Sequence, residues 1–140
     1  MSFTFRRSWP VIVAIVVSFG GGVVTGLHRL ENTRWAALSS FAYRWTAARG
    51  EYEHATPRAL GLLEPYVRRA ASAPAAIASF VMPSRVLALA MLANLHERNG
   101  NAVAANAAWV LAAQTCAAAT WTDCTKAHLA AVIRKKPAVR

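Results

Sequence analysis

The chain has 140 residues, 56% of them hydrophobic, and 16 lysines and arginines against six acidic residues give it a formal net charge of +10. This length allows a membrane segment and one small domain, and it excludes a second domain. The basic residues are spread along the chain, with one dense cluster from Arg134 to Lys136. This pattern favours a solvated, lipid-facing or partner-facing charge excess over a nucleic-acid interface.

The first element of the chain is an uncharged run from Ser8 to Leu27. As a helix, a run of about 20 residues spans about 30 Å, which matches the hydrocarbon thickness of a bilayer. We therefore expect a transmembrane helix over residues 9–27, after a cytoplasmic tail of residues 1–8. A cleavable signal peptide is the alternative, because two arginines precede the run, but the apolar stretch is longer than that of a typical leader.

Small residues recur at every fourth position of this run and predict a packing face. They are Ala14, Ser18, Gly22 and Gly26. In lipid, helices associate through the close approach of small residues, and a stripe that ends in GxxxG is typical of such contacts. The consecutive glycines at residues 20–22 weaken an isolated helix by up to about 1 kcal/mol each, so a partner helix has to compensate. The expected partner is therefore another integral membrane protein.

From His28 to Arg49 the sequence contains no proline or glycine, which predicts that the membrane helix continues as a stalk over residues 28–50. An apolar stripe follows this segment at three- and four-residue steps. Its candidate site residues are Trp35, Leu38, Phe41 and Trp45. The stripe is either the inner face of the domain beyond the membrane or a docking face for a partner, and the first interpretation is favoured.

The remaining domain, residues 51–134, is expected to be helical, because strand-forming residues are concentrated in the membrane run. Thr56 and Pro57 have the residue types of an N-cap and a first helical position, so they predict the start of a helix. A short helix is predicted over residues 70–78, and Pro83 marks the start of the next one.

The clearest local pattern is a set of large, small and turn-forming residues on two helices that meet at a glycine. Its members are Leu89, Leu92, Ala93, His96, Gly100, Ala105, Trp109 and Ala112. The spacing resembles a tetratricopeptide repeat over residues 86–119. The resemblance implies that Leu92 and Ala93 let the second helix pack closely, that Gly100 supplies the turn, and that the domain binds protein segments on a concave face.

The C-terminal part of the chain is predicted to close this hairpin. Thr122 and Asp123 are expected to cap a final helix that ends at Arg134, followed by a basic tail of residues 135–140. Cys116 and Cys124 lie eight positions apart at the junction of two helices, a separation that a helical corner can bridge with a disulfide. Two reduced, buried cysteines are the alternative.

The orientation in the membrane rests on these cysteines. Two arginines precede the apolar run and two follow it, so the positive-inside count is nearly tied. A disulfide requires an oxidising compartment. We therefore place the N-terminus in the cytoplasm and the domain in the periplasm of a bacterial inner membrane, with a mitochondrial inner membrane as the alternative.

No catalytic or cofactor-binding pattern stands out in the sequence. Glu51 and Glu53, the one close carboxylate pair, lie in a polar connector, and the four histidines have no metal-ligand spacing with the cysteines. His28, at the outer end of the predicted span, is the one candidate for a haem or pigment metal, but interfacial hydration is favoured. We expect no enzymatic activity, no metal, no cofactor, no small-molecule substrate and no nucleic-acid partner.

The sequence therefore predicts an all-α protein with one transmembrane helix and a small helical domain outside the membrane. Its leading function is that of a non-catalytic accessory or assembly subunit of a multiprotein membrane complex, in contact with integral membrane proteins and the lipid bilayer. The alternatives are a free-standing periplasmic binding module on a membrane tether, and an electron-transfer subunit that carries a cofactor on His28.

Overall fold

The computed structural model describes residues 9–134, with side chains from residue 31 onward. Over this range the chain is helical and contains no strand, so the predicted all-α fold class is confirmed. The helices are α1 (Trp9–Glu53), α2 (Ala59–Ala71), α3 (Ala75–Arg98), α4 (Ala102–Ala118) and α5 (Lys126–Arg134).

The chain divides into two units, Met1–Ala36 and Ala37–Arg140. The first unit contains the predicted membrane span, whose backbone belongs to α1 from Trp9 onward. The side chains of the predicted packing face and of the candidate cofactor ligand lie outside the described residues, and their roles stay predictions. These side chains are Ala14, Ser18, Gly22, Gly26 and His28.

The second unit is built around α3, which packs against α2, α4 and α5. Ten of its 24 residues are buried, and Ile77, Val86 and Leu89 are among the largest fully buried side chains. Of the residues with described side chains, α3 is also the one helix long and apolar enough to cross a membrane by length and composition. Contact with three neighbouring helices explains this composition, because a helix buried on several sides is apolar all round.

Pro74 separates two helices, whereas Pro83 does not start a new helix as predicted. Pro74 directly precedes α3, and Pro83 lies inside α3, so the predicted short helix over residues 70–78 is divided between α2 and α3. A proline inside a helix costs about 3 kcal/mol. Val81 and Val86, buried on either side of Pro83, offset this cost, since full burial of a valine contributes about 1.5–3 kcal/mol.

The connection from α1 to α2 also differs from the prediction. α1 passes Gly50 and ends at Glu53, after which Ala55 takes a left-handed conformation with φ of 54°. The N–H of Thr56 donates to the carbonyl of Glu51 at 3.0 Å, which closes the helix end in the manner of a Schellman motif. Thr56 therefore belongs to the turn, and α2 begins three residues later at Ala59.

The final helix begins at Lys126, later than predicted, because its N-cap is Thr125. The Thr125 hydroxyl accepts a hydrogen bond from the N–H of His128 at 3.3 Å, and the carboxylate of Asp123 accepts from the N–H of Thr125 at 2.9 Å. Before this turn, Cys116 and Cys124 are joined by a disulfide with 5.7 Å between their Cα atoms. The pair ties the end of α4 to the segment that leads into α5.

Removal of this disulfide should lower the free energy of unfolding by about 2–3 kcal/mol, because closing the loop restricts the unfolded chain. Urea denaturation of the full chain in detergent micelles, followed by circular dichroism, would compare the wild type with Cys116→Ala combined with Cys124→Ala. A reductant should destabilise the wild type by a similar amount and leave the variant unchanged. If the reduced wild type unfolds at an unchanged urea concentration, the prediction is wrong.

Candidate interaction surfaces

The predicted apolar stripe of α1 lies mostly inside the second unit. Phe41 is buried, and Leu38 and Trp45 are half-buried against the hydrophobic core. The rings of Phe41 and Trp45 contact that of Tyr66 on α2, with centroid separations of 6.3 and 5.6 Å. Trp35, in the first unit, is 64% exposed. Phe41 and Trp45 therefore hold α1 against α2, Leu38 packs on the core, and Trp35 stays exposed.

Tyr66 joins three helices of the second unit. Its ring packs on α1, and its hydroxyl lies 2.6 Å from the Ser84 Oγ on α3. Because the Ser84 hydroxyl donates to the carbonyl of Val81 at 2.8 Å, Tyr66 is the donor in this pair. Burial raises the pKa of the Tyr66 hydroxyl, which therefore stays protonated and able to donate.

The structure contains a helical hairpin of α3 and α4. Of its predicted residues, His96 is half-buried and Gly100 lies in the exposed turn with φ of +74°, while the others are buried. The buried ones are Leu89, Leu92, Ala93, Ala105, Trp109 and Ala112. The Asn101 side chain caps α4 by accepting from the N–H of Ala104 at 3.1 Å. These buried hairpin residues therefore form interior packing and offer no exposed binding surface.

A polar cluster joins α3, α4 and α5 beside the hairpin turn. The Trp109 indole N–H donates to Glu97 Oε1 at 3.0 Å, and the Lys126 Nζ lies 2.5 Å from the same oxygen. Lys126 also lies over the Trp109 ring, 5.4 Å from its centroid. The hydrogen bonds from Lys126 and Trp109 hold the pKa of Glu97 below its usual value. Sequence reasoning missed this cluster because Glu97 and Lys126 lie 29 positions apart.

A groove runs between α1 and α2 within the second unit. It consists of two cavities of about 370 and 430 Å³ that share Ser40. Several lining residues lie at three- and four-residue steps on each helix, and Ser72 and Pro74, from the connection to α3, complete the second cavity. We define the α1–α2 groove by Ala37, Ser40, Arg44 and Ala47 on α1 and Leu62, Pro65, Tyr66 and Arg69 on α2.

The outer side of α4 is a second exposed surface. α4 has no charged residue over its 17 positions, although it belongs to a strongly basic chain. Its exposed apolar side chains include Val103 at 83% and Val110 at 57%. Together with Ala107 and Leu111, which are also exposed, these residues define the α4 outer face.

Comparisons with protein-family models, with curated proteins and with solved structures give no match to this chain. The tetratricopeptide pattern of the hairpin therefore stays a resemblance. Within the described part of the chain, no three histidine, cysteine or acidic side chains form a group that could hold a metal ion. A functional assignment accordingly rests on the chemistry of the exposed surfaces.

Acid should weaken the cluster at Glu97. Because the folded state lowers the pKa of this carboxyl, its contribution to stability is complete above about pH 4.3, the ordinary glutamate value. The contribution is lost as the pH falls through the lowered pKa. In urea denaturation, Glu97→Gln should therefore be less stable than the wild type at pH 7, and this difference should shrink at about pH 3.

Glu64→Gln on α2, outside the cluster, is the matched control and should show a smaller difference at pH 7. A Glu97→Gln variant that differs from the wild type by the same amount at both pH values would contradict an electrostatic role of the cluster.

Proposed function

We propose that the chain is a non-catalytic accessory or assembly subunit of a multiprotein membrane complex. Residues 9–27 span the membrane and pack through their small-residue face against another integral membrane protein. The helical domain binds a protein partner on the far side of the membrane. The observation that carries this proposal is the uncharged, exposed α4 outer face on a domain whose hairpin interior is already filled.

Exposed apolar surface of this kind supports a binding role. Single apolar side chains are normal on protein surfaces, but contiguous apolar patches mark sites for other proteins or for membranes. On the α4 outer face, Val103, Ala107 and Val110 follow each other at three- and four-residue steps, with the exposed and uncharged Asn106 beside them. The resemblance of the hairpin to a tetratricopeptide repeat, a protein-binding unit, agrees with this role.

The disulfide supports a periplasmic place for the domain. Disulfides persist in oxidising compartments and are rare in the cytosol. With the domain outside, the N-terminal residues lie in the cytoplasm of a bacterial inner membrane. The long α1, which begins at Trp9 and ends inside the second unit, provides a helical connection from the predicted span to the domain.

The small-residue face can be tested by co-purification in a mild detergent. Gly22→Leu combined with Gly26→Leu should separate the chain from its membrane partner, because the added side chains prevent close helix contact. Val16→Leu combined with Val24→Leu, on the opposite side of the helix by periodicity, is the matched control and should retain the partner. Equal retention by both variants would refute packing through this face.

A replacement of the whole segment separates the proposal from its main alternative. If residues 9–27 are exchanged for an unrelated spanning helix, an accessory subunit loses its membrane partner. A tethered periplasmic module keeps its partner after the same exchange.

The α4 outer face makes a second, independent prediction. Val103→Lys combined with Val110→Lys should abolish co-purification of the periplasmic partner, because two charges would have to be desolvated in an apolar contact. The urea midpoint should stay close to that of the wild type, since both side chains are exposed. Ala127→Lys, at an exposed position of α5, adds the same kind of charge elsewhere and should retain the partner. Retention by the α4 variant would exclude this face.

A further inference from the structure

We infer that the α1–α2 groove binds an acidic, amphipathic segment of a partner protein. This inference rests on the proposed protein-binding function and names the chemistry of one partner. The groove is separate from the α4 outer face and differs from it in charge. Its chemistry combines an apolar floor with two arginines.

The floor of the groove suits apolar side chains. Leu62, Pro65 and the buried ring of Tyr66 lie along it, and Tyr43, which is 77% exposed, stands at its edge. Leu62 is 39% exposed although it lies next to the core residue Leu63. An amphipathic helix binds such a groove by inserting side chains spaced three and four residues apart.

The two arginines give the groove its charge preference. Arg44 lines one cavity and Arg69 lines the other, and both side chains are exposed. None of the residues that line the two cavities is acidic. Among the described residues, neither arginine forms an ion pair with a carboxylate. Each guanidinium is therefore available for a bidentate contact with an incoming carboxylate.

The lining residues place the two arginines in different cavities. Arg44 shares its cavity with Leu62 and Tyr66, whereas Arg69 shares the other cavity with Ala37 and Ser40. A partner helix that carries several acidic residues beside an apolar stripe can therefore meet one arginine in each cavity.

A protein segment fits this surface better than an anionic lipid does. Recognition of anionic lipid headgroups is typical of clusters of about four to eight basic residues, and two arginines line this groove. Tyrosine and arginine beside apolar side chains are instead the residue types that dominate protein-binding hot spots.

The test uses the purified full chain in detergent and a fluorescent synthetic helix with leucines facing one side and glutamates flanking them. Binding should weaken as salt is added, because the ion pairs are exposed. Arg44→Glu combined with Arg69→Glu should weaken binding by about tenfold or more. The same double variant should bind a second peptide, in which lysines replace the glutamates, better than the wild type does.

Arg58→Glu combined with Arg68→Glu is the matched control. These exposed arginines lie outside the groove lining, and their replacement changes the net charge by the same amount. This control should bind the acidic peptide as the wild type does, apart from a small uniform loss. An equal loss of peptide binding in both double variants would overturn the inference, because it would show that the peptide responds to net charge and not to the groove. Absence of peptide binding to the wild type would overturn it as well.

Two further measurements distinguish a protein ligand from a lipid ligand and the groove inference from the proposed function. A soluble short-chain phosphatidylglycerol can be added to the same detergent solution. If it binds the wild type but not the variant with Arg44→Glu and Arg69→Glu, while the peptide fails to bind, the groove is assigned to lipid and the inference is overturned. Co-purification separates this inference from the proposed function. Suppose that the variant with Arg44→Glu and Arg69→Glu keeps the native partner, and that the variant with Val103→Lys and Val110→Lys loses it. The groove inference then fails and the proposed function stands.

Discussion

The second unit depends on the burial of α3. Three other helices pack on this one helix, so its apolar side chains are covered from several directions, and the proline at residue 83 is tolerated because of that cover. α1 joins the unit differently, through the rings of Phe41 and Trp45 on Tyr66. Tyr66 in turn donates to Ser84 on α3. One buried tyrosine therefore connects the outermost long helix to the central one.

This arrangement decides which surfaces remain for partners. The hairpin residues that resemble a tetratricopeptide repeat fill the interior between α3 and α4, and the buried ones are at most 8% exposed. Two of the exposed surfaces in the described part of the chain differ in charge. The α4 outer face lacks charge, whereas the α1–α2 groove places one arginine in each of its two cavities. Because the two surfaces differ in charge, the partner segments proposed for them differ in chemistry.

Local signals in the sequence were sufficient for the helical class, the hairpin and the cysteine pair. Gly100 and Asn101 fix the hairpin turn through a left-handed backbone and a side-chain cap, both of which depend on adjacent residues. Elements that depend on distant residues were missed or misplaced. The predicted helix over residues 70–78 failed because Pro74 separates α2 from α3, and Pro83 did not start a new helix because its neighbours are buried. The Glu97 cluster and the groove arise from chain segments that are far apart in sequence. The sequence pattern predicted the apolar stripe from Trp35 to Trp45. Which of its side chains are buried could not be predicted, because that depends on where α2 packs.

The composition of α3 has a consequence for how the domain is made. Before folding, this segment satisfies the same length and hydropathy requirements as a membrane span, so a lipid bilayer and the protein interior compete for it. Only a few residues connect α3 to α4, the helix that covers it. The contacts between the two helices are therefore local in sequence, and such contacts form fast. Pairing with α4 buries apolar side chains of α3 that a bilayer would otherwise cover.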